Sequence, residues 1–180
     1  MMRKLSEKIR RRAGDIRRFC GAERGTTAVE FALIGPLFIA TLVAVFQTCI
    51  FLFAQMVLQN AAQQAGRYYM TGQAQNNNWT ASTVVGMVCP TALFNCNNMY
   101  MVVQNYSSFA GASTSAPQMY NNGQLITSYA YNPGTPGDVM VVQLVYAWPV
   151  VSAPFGFSLS NLPNNAAEIM GVSAFRVEPY

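Results

Sequence analysis

From Phe31 to Ala54 the chain reads FALIGPLFIATLVAVFQTCIFLFA, with no charge and with Gln47 its only strongly polar side chain. A bilayer core needs about 20 such residues as a helix, so this run is long enough to span. Pro36 would break a helix in water but is tolerated in membrane helices, where it often leaves a kink. The rival reading is a buried core helix, and the length of the run and the basic block before it argue against that. A removable secretory signal fits poorly, because the apolar region is too long and no clear A-x-A site follows at the usual distance. Cys49, preceded by Phe46, Gln47 and Thr48, does not resemble a lipoprotein cleavage site and reads as a buried helix thiol.

Charge sharpens the picture. The chain is 52% apolar and 10% charged, against roughly 25% charged in an average soluble protein. That deficit argues against a free cytosolic domain and against a disordered tail. Nine of the eleven basic residues precede Gly25, and from Thr26 onward the formal balance is −2. A basic N-terminal block can bind nucleic acid. Here it abuts an apolar run, and the positive-inside rule accounts for the arrangement without a nucleic-acid partner. The same rule places the N-terminus in the cytoplasm and the C-terminal body outside.

Glu30 stands at the mouth of the apolar run, where a carboxylate is expensive. Gly25 lies five residues before it, behind the basic leader. The stretch Arg24-Gly25-Thr26-Thr27-Ala28-Val29-Glu30-Phe31 resembles the cleavage region of type IV prepilins and pseudopilins. More narrowly, ERGTTAVEFALIGPLF resembles the N-terminal signature of TadE-like proteins, pseudopilin-like components of the Tad (tight adherence, Flp pilus) system. Arg24, Gly25, Ala28, Val29, Glu30, Phe31, Ala32, Leu33 and Pro36 carry the match. Ala61-Ala62-x-x-Ala65-x-Arg67 with Thr71-Gly72, and the ending Phe175-Arg176-Val177-Glu178-Pro179-Tyr180, also look familial, although Val177 departs from an expected asparagine. TadF-like and TadG-like relatives share the N-terminal signature.

The resemblance implies cutting after Gly25 by a prepilin peptidase on the cytoplasmic side, with the hydrophobic helix kept by the mature chain. It implies Glu30, with Phe31 beside it, as the pilin-type pairing residues, and other pilin-like Tad proteins as partners. The residue types suit that chemistry. Glycine lets an extended backbone enter a peptidase cleft unobstructed. A new ammonium on Thr26 can pair with Glu30, on its own chain or a neighbour's, at the low-dielectric membrane edge. Glu30 near a helix N-terminus also suits the macrodipole.

The helical pattern continues past the bilayer. In QMVLQNAAQQAGRYY, Met56, Val57, Ala61, Ala65 and Tyr68 recur at helical spacing with glutamines between them. One helix is expected from about Thr27 to Met70, stopped by Thr71-Gly72. Its small residues Ala61, Ala62, Ala65 and Gly66 allow close approach, with packing against the chain's own body favoured over a partner helix. Arg67 reads as an interfacial anchor. Gln73–Asn78 reads as a polar connector, and Thr80 as the N-cap of a helix Ala81–Val88.

Cys89 and Cys96 follow as CPTALFNC. In an exported domain this spacing predicts a local disulfide. A metal site would need further ligands, which are lacking, and a redox site would more typically be Cys-x-x-Cys. Cys20, in the leader, should stay reduced. Met99–Tyr106, Val139–Trp148 and Ala166–Val177 read as strands separated by Gly/Asn/Pro-rich stretches. In the second, Met140, Val142, Leu144, Tyr146 and Trp148 share one face by period two.

The chain contains no histidine, and no lysine after Lys8. Ser-His-Asp, Cys-His and histidine-ligated metal chemistry are thereby excluded within it. Asp138 after Pro136-Gly137 reads as a turn residue at a strand entry, and the many tyrosines read mostly as core or sheet positions. The expectation is an α+β, membrane-anchored, non-enzymatic protein without cofactor or metal. It comprises a cytoplasmic leader (1–25), a transmembrane and extended helix (26–72) and an extracytoplasmic domain (73–180) with a small antiparallel sheet. The resemblance implies the bacterial inner membrane and a role in pilus assembly. The alternatives are an uncleaved signal-anchored binding protein and a pilus-associated adhesin.

Overall fold

The computed structural model describes residues 25–151 and 156–179. The basic leader, with Arg24 and Cys20, and the terminal Tyr180 lie outside the described residues. The elements are α1 (Thr26–Met70), α2 (Gln73–Asn76), α3 (Ala81–Val88), β1 (Met99–Tyr106), β2 (Tyr120–Asn121), β3 (Gln124–Leu125), β4 (Val139–Pro149) and β5 (Ala166–Arg176). This is the expected α+β arrangement, a long apolar N-terminal helix leading into a small antiparallel sheet. The chain divides into two compact units, one ending at Val43 and the other beginning at Ala44.

α1 is the one helix among the described residues long and apolar enough to cross a membrane, and it carries Pro36 internally. Gly72 ends it with φ of 73°, the left-handed geometry that a helix stop favours and that glycine adopts without cost. The Gln73–Asn78 stretch is not a plain connector. Its first four residues form the helical turn α2, which buries Ala74. Thr80 caps α3 as expected, its Oγ1 accepting the Thr83 N–H at 3.3 Å.

The main sheet has the order β1-β4-β5 and is antiparallel throughout. β2 and β3 make a small separate hairpin between β1 and β4 that strand-length patterning does not single out. β4 is central, and eight consecutive residues from Val139 to Tyr146 are buried. The period-two face of Met140, Val142, Leu144 and Tyr146 does enter the core, with Trp148 half-buried against it. The other face is covered too. Gln143, only 5% exposed, donates to the Ser115 carbonyl at 3.0 Å, and Met119 is buried within the same covering segment. A strand buried on both sides reads as a continuous apolar run, and VMVVQLVYAW fits that description better than alternation does.

The body-side part of α1 lies against β5. Its buried stripe is Ala54, Leu58, Ala61, Ala62, Ala65 and Tyr69, packed with β4 and with Ile169 of β5. Met56, expected on this stripe, is 60% exposed instead. The half-buried Gln55 and Gln59 take its place beside the sheet and bond to β5. The small residues serve intramolecular packing. A Cβ on Gly171 would come within 2.5 Å of the Leu58 carbonyl oxygen and 2.9 Å of the Ala62 side chain. Gly66 is filled from the opposite side by Ser173 and Phe175. Full burial of a side chain such as Leu58 or Ile169 contributes roughly 1.5–3 kcal/mol.

Candidate functional site

The residues singled out at the head of the apolar run fall together at the start of α1. Gly25 immediately precedes the helix and Thr26 is its first residue. The first four N–H groups of any helix lack intrahelical partners. Glu30 is the fifth helical residue, on the same face as Thr26 by the i, i+4 relation and about 6 Å further along. It is exposed. No acidic residue occupies the first turn itself, and the macrodipole's effect falls off within that turn. Phe31 is 75% exposed, and the other large apolar residues from Val29 to Phe46 are exposed by 40% or more. Gly25 is exposed, and among the described residues a Cβ there would meet nothing within 4 Å.

Cys49 is exposed on α1 and carries a free thiol, which corrects the expectation of burial. Among the described residues nothing covers it, and a bilayer around the apolar run would. Arg67 is exposed in the last turn, where a cation complements the helix C-terminus.

In the body, Cys89 and Cys96 form a disulfide with their Cα atoms 5.9 Å apart. It fastens the end of α3 to the 3-10 turn that opens β1. Within the closed loop, Phe94 is buried and meets Tyr146 edge-on at 5.1 Å and Trp148 at 5.7 Å. The bridge thus holds an aromatic wedge in the core.

A cleft of about 630 Å³ lies between α3, β1 and residues 127–131. Its lining is neutral and includes Thr80, Ser82, Val85, Tyr100, Tyr129 and Tyr131. Burial pushes the Tyr129 hydroxyl above its ordinary pKa, with Glu168, Tyr100 and Tyr120 adding to the effect. The lining offers hydroxyl and backbone hydrogen bonds and contact area.

Asp138 is the turn residue expected. It accepts from the Thr135 N–H at 2.8 Å, the Thr135 hydroxyl at 3.0 Å and Asn105 at 3.3 Å. The Thr135 backbone bond, then the side-chain bonds, hold its carboxyl below the usual range. Glu168 is shifted the other way by burial, and its Oε1 is shielded without a partner among the described residues. Behind α1, Tyr69 donates to the Tyr131 hydroxyl at 3.3 Å, and Tyr131 donates to the Trp79 carbonyl. Burial, then that bond, raises the Tyr69 pKa.

Three bonds had no signal in local sequence pattern. Gln47 donates to the Val151 carbonyl, Gln55 to that of Met170, and Gln59 to that of Val172. Their trace in the sequence is a set of glutamines bordering an apolar stripe, which spacing alone assigns to solvent.

A helix of this length and apolarity, joined to a small disulfide-stapled sheet domain, defines a protein suited to single-pass membrane anchoring. Residues 25–67 match the profile of the family described as TadE-like protein. No match is found among curated proteins or among solved structures.

Proposed function

We propose that this chain is a membrane-anchored, pseudopilin-like component of Tad/Flp pilus assembly, cut by a prepilin peptidase after Gly25. The mature chain then begins at Thr26, keeps α1 in the bacterial inner membrane, and carries its body on the extracytoplasmic side. Its leader, helix and outer domain divide at about residues 25 and 72. Glu30 pairs with the Thr26 ammonium, and Phe31 lies beside it against neighbouring pilin-like helices.

The observation that carries this reading is the state of Gly25. It is exposed, and among the described residues a Cβ there would meet nothing within 4 Å. Among the described residues nothing fills the space of a side chain at Gly25, and a peptidase cleft favours glycine. The start of α1 at the next residue supports the same junction. The work of such a protein is packing, through the exposed apolar helix and the neutral surface of the body.

Complementation tests the function. Cells lacking this protein are expected to lose pili and to regain them with the wild-type chain but not with Glu30→Ala. Normal piliation without the protein would remove the assembly role. Normal piliation with Glu30→Ala would remove only the pairing role.

A further inference from the structure

β1 is an edge strand of the main sheet, and among the described residues the chain bridges its open side at Val103 alone. The Val103 N–H donates to the Ala130 carbonyl at 3.0 Å, and the Asn132 N–H donates to the Val103 carbonyl at 2.8 Å. These bonds make a parallel bridge between Val103 and Tyr131. Alternate residues of a strand aim their backbone groups the same way, at intervals of about 7 Å. Met101 therefore presents its N–H and carbonyl on the same open side as Val103. Residues 127–129 do not continue the bridge along the strand, and among the described residues no backbone bond joins them to Met101.

The space left there is the cleft between α3, β1 and residues 127–131. Its volume, about 630 Å³, falls within the roughly 300–1,000 Å³ of ligand sites. α3 contributes Ser82, Val85 and Gly86 to its wall, and the diverging segment contributes Ser128 and Tyr129. The Tyr129 ring lies 5.8 Å from that of Tyr100 on β1. No charged residue lines the cleft, so an ionic ligand finds no counter-charge in its wall. A backbone donor and acceptor on a strand edge instead match an extended polypeptide, which adds to a sheet through main-chain bonds.

Direction decides against the β1 of a second copy. Gln55 and Gln59 bond Met170 and Val172 in the same order, so β5 runs the same way as α1. β5 is antiparallel to β4, and β4 to β1, so β1 also runs with α1. Copies anchored through α1 in one membrane carry their β1 strands in the same direction, whereas a closed two-fold pair of identical edges is antiparallel.

We propose that this cleft takes an extended, uncharged segment of a different polypeptide as an added strand on β1, held by the Met101 N–H and carbonyl. Setting aside a second copy rests on the reading of α1 as a membrane anchor; the strand edge itself does not.

Hydrogen exchange at single amides in the full chain, held one copy per phospholipid nanodisc, tests the site. In the free chain the Met101 amide is expected to exchange faster than those of Val102 and Val103. Short uncharged peptides are then selected on this preparation from a random library, and the tightest binder serves as the probe. Its binding is expected to protect the Met101 amide and to disappear when its own backbone is N-methylated at alternate residues. Gly86→Trp and Ser128→Trp place a ring in the cleft from exposed positions, and each should weaken binding roughly tenfold, as loss of such backbone bonds does. A Met101 amide as slow as that of Val103 in the free chain overturns the open edge. A library that yields no binder, binding that leaves Met101 unprotected, or binding that survives N-methylation overturns strand addition. Protection at Met101 without peptide, once two copies share a nanodisc, overturns the choice of partner in favour of a second copy. None of these readouts depends on pili, so loss of the assembly role leaves the binding site standing.

Discussion

Gln59 and Val172 exchange two hydrogen bonds. The Gln59 amide donates to the Val172 carbonyl at 2.7 Å, and the Val172 N–H donates to Gln59 Oε1 at 3.0 Å. A primary amide thus stands in for a neighbouring strand on β5, an edge strand of the sheet. Gln55 extends the device by bonding the Met170 carbonyl at 2.7 Å. Open edges template unwanted pairing, and here the chain's own helix occupies this one.

Replacing Gln59 with leucine leaves the Val172 N–H and carbonyl without these partners. The expected loss is about 1–3 kcal/mol, with faster hydrogen exchange at the Val172 amide than in wild type. Unchanged exchange at Val172 would show that the amide pairing contributes nothing to the edge.

Two glycines should respond in opposite directions. Gly171→Val forces a side chain into the Leu58 backbone and should destabilise by about 1–3 kcal/mol, as overpacking does. Gly86→Ala, in α3 with open space around it, should stabilise by about 0.5–1 kcal/mol. Thermal unfolding of the detergent-solubilised chain checks both. Equal effects would contradict the close helix–sheet approach.

Removing the bridge with Cys89→Ser and Cys96→Ser should cost about 2–4 kcal/mol and loosen Phe94. Reductant should lower the unfolding temperature of wild type and leave that of the double variant unchanged. Equal sensitivity to reductant in the two chains would count against a structural role for the bridge.

The two shifted carboxylates predict opposite pH responses. The Asp138 pKa is lowered by its hydrogen bonds. Its contribution is present above its unfolded value and lost as pH falls through the folded one. Asp138→Asn should therefore destabilise at neutral pH and converge with wild type in acid. The Glu168 pKa is raised by burial, so its favourable contribution is present below its unfolded value and lost as pH rises through the folded one. Glu168→Gln should stabilise at neutral pH, with the gain vanishing in acid. Urea titrations of both variants across that range give the signs directly.

The elements themselves were readable along the chain. α1, α3 and the three long strands lie within a residue or so of the bounds that periodicity, the Thr80 cap and the Gly72 stop suggest. What local pattern could not supply was partnership. Met56 and Gln59 both border the buried stripe, and only the nearby β5 edge makes the glutamine the more useful neighbour. Period two describes one face of β4, but the cover over Gln143 comes from a loop with no periodicity of its own. Gln47 looked like an isolated polar residue because Val151 is 104 positions away. At the N-terminal site the residue types were legible from the start, since Gly25, Thr26 and Glu30 are near neighbours in sequence.

The identity of the N-terminal residue tests the central claim most directly. The chain is extracted from membranes of cells with an active prepilin peptidase, and its N-terminal peptide is identified by mass spectrometry. The account predicts a peptide beginning at Thr26 in wild type, and retention of the leader when the peptidase is absent or when Gly25→Val blocks the cut. Mature wild-type protein that still carries its leader in cells with active peptidase would contradict it.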